Sequence, residues 1–313
     1  MEAVYTWVDD CFPGYMEMLH KHSSTRNDLN PNRTRDNLNI LKYSLRSLQI
    51  YAPWVDKVTL ISMSPQVPDW INTGHPDIRI LHHHDFIPEV YLPTFSSFSI
   101  ISHFHRLEPL PNRFVYFEDD MVLGCPISED IFFNEAGLIN VWFKNNNVIR
   151  IKNKSDKDTS PWNFALDLSN DLLDKKYGHK NRKMMMHSPL VIDREIWAKL
   201  HNEWPEYFER TAQSKFRSVG NIAPEFLYRY YLVNEGFGNT VSAKTSHLVN
   251  DYWGLENNRF FNAIGLFFVK LKKRPFITLN DNFGYSPKPS VVNAVTAYLE
   301  KQYPIPSKFE QHL

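Results

Sequence analysis

Three consecutive carboxylates, Glu118-Asp119-Asp120, follow the apolar run Arg113-Phe114-Val115-Tyr116-Phe117. Acids at the carboxyl end of a strand can hold Mg²⁺ or Mn²⁺ against a diphosphate, because hard cations prefer oxygen ligands. A solvated acidic turn accounts for the same triplet. Leu279-Asn280-Asp281-Asn282 repeats the logic with one carboxylate and two amides, or is an Asn/Asp turn bonding its own backbone. His187, in His187-Ser188-Pro189, is a natural base for a sugar hydroxyl, and Arg217, in Lys215-Phe216-Arg217-Ser218, is a phosphate ligand or a surface cation. The runs His82-His83-His84-Asp85 and His103-Phe104-His105-Arg106 show no spacing that demands zinc and suit capping or packing.

Positioning these groups requires a βαβ rhythm, and the chain has one. Ala3 to Val8 reads as a buried first strand delivering Asp9-Asp10 to a loop. Ser23 to Arg35 reads as a loop. Leu38, Leu41, Leu45 and Leu48 predict a helix from Asp36 to just before Pro53. Lys57–Ser62 and Ile78–Leu81 follow as strands, Ser96–Leu107 as a helix, and Arg113–Phe117 as the strand feeding the acidic triplet. In open α/β sheets ligands bind beyond the carboxyl ends of strands, which is where this triplet falls. Residues 143–183 are polar and predict an insertion or lid with short helices. His187–Glu235 predicts two packed helices, and Pro275–Asn282 a last strand.

The length and the 42% hydrophobic content suffice for a substantial core, as one domain or two fused lobes. Thirty-five Lys and Arg balance thirty-five Asp and Glu, so no global excess points to nucleic acid. Cys11 and Cys125 lie outside any CxxC or zinc spacing, which fits a reducing compartment. The start MEAVYTWVDD lacks a basic segment followed by an apolar one, and no run approaches the roughly 18 to 20 apolar residues of a membrane span. The expectation is a cytoplasmic protein.

The order of the motifs resembles the Stealth family of hexose-1-phosphate transferases, which includes bacterial capsular-polysaccharide phosphotransferases and the lysosomal-enzyme GlcNAc-1-phosphotransferase. The first family region is similar to Val4-Tyr5-Thr6-Trp7-Val8-Asp9. The second is similar to Arg35-Asp36-Asn37 through Tyr116-Phe117-Glu118-Asp119-Asp120, by way of Ala52-Pro53-Trp54, His83-His84-Asp85 and His105-Arg106. The third resembles His187-Ser188-Pro189 with Lys215-Phe216-Arg217-Ser218, and the fourth Leu279-Asn280-Asp281-Asn282. Two positions depart from it: Asp10-Cys11-Phe12 stands where the family has Gly-Ser-Asp, and Glu118 where it has Asn.

The resemblance implies an α/β, GT-A-like nucleotide-sugar-binding sheet flanked by helices, with a helical insertion or lid. It implies one catalytic domain over 1–313, made of an N-terminal half (1–142), a polar insertion or lid (143–186) and a C-terminal half (187–313). The implied reaction moves hexose-1-phosphate from a UDP-like nucleotide sugar to a glycan hydroxyl in capsular or exopolysaccharide synthesis. By the same resemblance Asp120, His187 and Arg217 are catalytic, with His187 as base and Arg217 stabilising phosphate charge. Asp119, Asp120 and Asp281 hold Mg²⁺ or Mn²⁺, and Asp9, Arg35, Asp36 and Asn282 bind the donor. The partners are a nucleotide-sugar donor and a glycan acceptor, with peripheral association with membrane-bound capsule machinery at the inner face of the cell membrane. Two other readings stand beside it: a metal-dependent glycosyltransferase releasing a nucleoside diphosphate, and a non-catalytic glycan-binding relative.

Overall fold

The computed structural model describes residues 1–152 and 159–311. Its largest sheet joins β1 (Glu2–Thr6), β2 (Val58–Ser62), β3 (Ile78–His82), β4 (Arg113–Glu118) and β8 (Leu190–Asp193) in the order β3-β2-β1-β4-β8. The first four are parallel, and β8 runs antiparallel to β4. Parallel strands covered on both faces read as continuous apolar runs, and Ala3, Val4, Tyr5, Phe114, Val115, Tyr116 and Phe117 are all buried. A second sheet pairs β10 (Asn250–Leu255) with β11 (Phe276–Asp281) in parallel, and β11 with β5 (Met121–Leu123) antiparallel. A third contains β6 (Ile139–Asn147), β7 (Lys183–Met185) and β9 (Gly238–Val241). The expected α/β sheet flanked by helices is present.

The leucine-spaced helix covers Ile40–Tyr51, starting four residues later than its periodicity suggests. Asp36 Oδ1 accepts the Asn39 amide at 2.7 Å, closing a turn ahead of the helix, and Asn39 stands at the helix entry in the left-handed region with φ 50°, so the helical backbone begins only at Ile40. The helix expected over Ser96–Leu107 is Ser97–Ser102 followed by a 3₁₀ turn, Phe104–Arg106. Ser102 Oγ bonds the Phe98 carbonyl at 2.7 Å, a local bond that competes with continued helix. Where two helices were expected in 187–235, the chain forms β8 and three helices, Arg194–Glu203, Pro205–Gln213 and Pro224–Asn234. Prolines at residues 205 and 224 each open a helix, which divides the segment.

Residues 143–186 carry most of β6, a 17-residue helix, Pro161–Tyr177, and β7; residues 153–158 lie outside the described ones. The helix buries Phe164, Leu166, Leu172 and Leu173, of which Leu166, Leu172 and Leu173 belong to the core that contains the large sheet. The 142/143 boundary falls within β6. A smaller core joins β10 and β11 to the helices Arg259–Lys272 and Pro289–Gln302. No helix among the described residues is long and apolar enough to cross a membrane.

Candidate active site

The chain leaves the large sheet at Glu118, the last residue of β4, and three residues later enters the second sheet as β5. The acidic triplet therefore bridges two sheets, and each sheet brings it a partner. β8 pairs with β4 with Leu190 opposite Tyr116, so the residues just before Leu190 flank those just after Tyr116. His187 Nε2 accordingly stands 3.1 Å from Glu118 Oε1 and 3.6 Å from Asp120 Oδ1. On the other side β11 pairs with β5, with Thr278 opposite Met121, and Asn280 donates to Asp120 Oδ2 at 3.3 Å. A cleft of about 630 Å³ opens over this junction. That volume lies within the roughly 300–1,000 Å³ of small-molecule sites.

The cleft walls carry opposite charges. Burial works against the charge of His187, but Glu118 and Asp120 override it and push the imidazole up to about 10. Burial would likewise raise Glu118, yet His187, then Arg217 and Arg229, hold it below its ordinary value. Asp119 is raised well above the carboxylate range by burial, by Asp120 and by Asp36, and Asp120 is raised by burial despite His187. Asp120 Oδ1 and His187 Nε2 are buried without an aligned hydrogen-bond partner among the described residues. Glu118, Asp120 and His187 each offer a ligand atom, all within 4.8 Å of one another. Repelling acids with an unfilled lone pair are what a divalent cation would neutralise, so the donor set fits one.

Arg217 forms the facing wall. Its Nη2 donates to Ser97 Oγ at 2.5 Å, and its guanidinium carbon lies 4.6 Å from the Phe98 ring centre and 5.4 Å from that of Trp162. Aromatic faces hold the guanidinium in place and keep its charge. Among the donor-binding expectations, Arg35, Asp36 and Asn282 line the cleft. Arg35 Nε is held by Asp10 at 2.8 Å, and Asp36 accepts Trp7 Nε1 at 2.9 Å. Asp9 does not line it: Asp9 Oδ1 accepts the Cys11 amide at 3.0 Å and faces the Asp36 amide at 3.5 Å. Asp9, Asp10 and Cys11 form the other group with metal-ligand spacing, but the Asp10 oxygens are taken by Arg35 and by Thr34 at 3.0 Å. Asp281 lines the cleft without joining the Glu118 group, because its oxygens accept Asn37 Nδ2 at 2.7 Å and the Phe283 amide at 2.9 Å. Asp119 lines the cleft beside that group, and Asp120 is the one expected metal ligand inside it.

Asn280, from the turn already read in the sequence, reaches Asp120, and four further residues line the cleft. Glu225 and Arg229, one helical turn apart on Pro224–Asn234, line the cleft beside Glu118; burial, then Glu118, pushes Glu225 up to about 7. Two charges embedded among Phe226, Leu227, Tyr228 and Tyr231 were a readable signal, since buried charges need a reason. Lys144 and Tyr252 also line the cleft, with Lys144 Nζ 5.8 Å from the Tyr252 ring and the Tyr252 ring 6.2 Å from that of His187. No local pattern marks that pair. Of the two histidine runs, His83 and His103 are buried, and burial pushes each down to about 3, with His83 also lining the cleft, while His84 is exposed.

Residues 33–141 match the family model of Stealth protein CR2, conserved region 2, and residues 186–234 that of Stealth protein CR3, conserved region 3. The chain is 29% identical over 321 residues to exopolysaccharide phosphotransferase SCO6023 of Streptomyces coelicolor, covering 99% of this chain and 52% of the relative. It is 33% identical over 239 residues to exopolysaccharide phosphotransferase SCO6021 of the same organism, covering 74% of this chain and 43% of the relative. It is 27% identical over 326 residues to capsular polysaccharide phosphotransferase SacB of Neisseria meningitidis serogroup A, covering 99% and 57%. The chain thus spans about half the length of the curated relatives it matches. Among solved structures, galactosyltransferase LgtC in complex with donor and acceptor sugar analogs aligns over 97% of this chain and 95% of its own, with TM-score 0.44 and 8% identity. Mouse xyloside xylosyltransferase 1 aligns over 89% and 97%, with TM-score 0.40 and 10% identity.

Proposed function

The chain belongs to the Stealth family, and from that premise we propose that it transfers hexose-1-phosphate from a nucleotide sugar, UDP-linked, to a glycan hydroxyl in capsular or exopolysaccharide synthesis. One observation carries this reading most: Asp36, Asp120, His187, Arg217 and Asp281, from segments far apart in sequence, line a single cleft. The acceptor oxygen attacks the β-phosphorus that bears the sugar. The P–O bond to the nucleotide breaks, nucleoside monophosphate leaves, and a phosphodiester remains.

Phosphoryl transfer asks a protein mainly for alignment and charge stabilisation. Arg217 and Arg229 offer positive charge to the transferring phosphoryl group, and Arg35, Asp36 and Asn282 bind the donor. Glu118 and Asp120, with Asp119 beside them, would hold Mg²⁺ or Mn²⁺, which when bound offsets the diphosphate charge and compensates the carboxylates that keep His187 protonated. Magnesium prefers oxygen ligands, which leaves His187 to hold the acceptor's proton at Nε2. Peripheral association with membrane-bound capsule machinery belongs to the same reading.

The test is the released nucleotide. Incubation with a panel of nucleotide sugars, glycan acceptors and Mg²⁺ should yield nucleoside monophosphate and a phosphodiester signal by phosphorus NMR. Release of nucleoside diphosphate would instead make the protein a glycosyltransferase, and donor binding without turnover under any metal would make it a binding protein.

A further inference from the structure

The helix Arg259–Lys272 has two apolar faces and only one cover. Leu266 and Val269 are buried in the smaller core, with Asn262 and Gly265 on the same side. Its outer stripe, Phe260, Phe261, Ile264, Phe267, Phe268 and Leu271, is exposed, with Phe260 at 76%, Phe267 at 61% and Leu271 at 66%. These six are nearly half of the fourteen exposed large apolar side chains among the described residues, so they form a patch, not scatter. A helix apolar all round is ordinarily covered on every side.

The surroundings indicate what covers it. Residues 259–274 read RFFNAIGLFFVKLKKR, with five cations and no carboxylate. Lys272 is held by Asp251 at 3.0 Å and Arg274 Nη1 by the Leu248 carbonyl at 3.2 Å, while Arg259, Lys270 and Lys273 have no ion-pair partner among the described residues. Beside the stripe lies a groove of about 380 Å³ between this helix and Pro289–Gln302, lined by Leu266, Phe267, Val291 and Val295, with Arg259, Lys270 and Lys301 among its residues. The helix is firmly seated: Trp253 packs against Phe261 at a tilt with centres 4.8 Å apart, and a Cβ added at Gly265 would lie 1.8 Å from the Trp253 ring. A second copy applied to this face through a twofold axis would set its cations against each other. An anionic surface meets both the charge and the apolar stripe.

We propose that the outer face of residues 259–272, with its groove and flanking lysines, docks the protein on an anionic phospholipid bilayer. The phenylalanines and Leu271 enter the boundary between headgroups and acyl chains, and the cations pair with lipid phosphates, the two contributions that hold an interfacial helix. The proposal deepens the peripheral association suggested above by naming the surface and the lipid.

Flotation with phosphatidylcholine vesicles and with vesicles of equal parts phosphatidylcholine and phosphatidylglycerol tests it without any enzymatic reading. The chain should float with the anionic vesicles, lose most of that binding at high salt, and ignore the neutral ones. Phe267→Glu with Leu271→Glu, both at exposed positions, should weaken binding at least about tenfold, and Lys270→Glu with Lys273→Glu by about as much. Circular dichroism should be unchanged in both double variants. Absence of flotation, equal flotation with both vesicles, or a solution dimer dissolved by Phe267→Glu would overturn the proposal. A protein that floats as expected but makes no phosphodiester would refute the proposed reaction and leave the surface standing.

Discussion

Two buried arginines, Arg46 and Arg229, differ in what their guanidinium groups touch. Arg46 donates from Nε and Nη2 to the two Glu310 oxygens, both at 2.8 Å, and from Nη1 to Glu300 at 2.7 Å and the Tyr303 carbonyl at 2.8 Å. Arg229 donates from Nη2 to the Ser188 carbonyl at 3.1 Å, while its Nε and Nη1 find no hydrogen-bond partner among the described residues. The carboxylates follow suit. Burial would raise Glu310, but Arg46 holds it below its ordinary value, whereas burial and Glu118 raise Glu225 to about 7 beside Arg229. A buried charge left incompletely paired costs stability. The chain completes its pairs where the C-terminal segment must be fastened to the Ile40–Tyr51 helix and leaves them incomplete in the cleft, where a charged ligand can finish them.

The contrast can be broken from either side. The largest effect should come from the cleft: Asp120→Asn should lower turnover on the order of 10³, with chelation of the divalent cation matching it, and His187→Ala on the order of 10². Melting curves should show both variants folded. Arg46→Ala should act on stability instead, costing about 3 kcal/mol in urea unfolding because buried Glu310 loses its two-pronged partner and keeps only Lys42 at 3.7 Å and Ser307.

Next comes Asp174, another fully engaged carboxylate, held by Arg150 at 2.8 Å, by His179 at 2.7 Å and by Arg182. Burial opposes its charge, but these partners push it down to about 2. A lowered carboxylate stabilises the fold above its unfolded pKa near 3.8 and loses that contribution as pH falls through about 2. Asp174→Asn should therefore cost about 2 kcal/mol at neutral pH, and the gap between the unfolding curves should close on acidification. The smallest effect on stability comes from Arg229. Arg229→Met removes an underpaired cation but also a charge that helps hold Glu118 low, so the two costs nearly offset and stability should change by less than about 1 kcal/mol while the donor KM rises. A loss of stability as large as that of Arg46→Ala would erase the distinction between the two arginines.

Much of this was legible along the chain because the cues were local. The apolar run before Glu118 marks a strand whichever sheet receives it, and the leucine spacing of 38–48 marks a helix. The helix starts later than the spacing predicts because Asp36 closes a turn onto the Asn39 amide and Asn39 takes a left-handed backbone, neither of which the leucine spacing shows. The ends of β8 and β5 were invisible, since three or four apolar residues say nothing of which strand they will pair with.

By itself the sequence determined the candidate groups, the acidic triplet, His187, Arg217 and the Asn280–Asn282 turn, and their order along the chain. Only the tertiary structure decided how they associate. It set Glu118 and His187 beside Asp120 while Asp281 turned to Asn37, and it drew in Glu225, Arg229, Lys144 and Tyr252. The physical reason is that a residue's type is a local property, whereas its ionisation and its partners depend on which strands pair and which charges burial brings within a few ångströms.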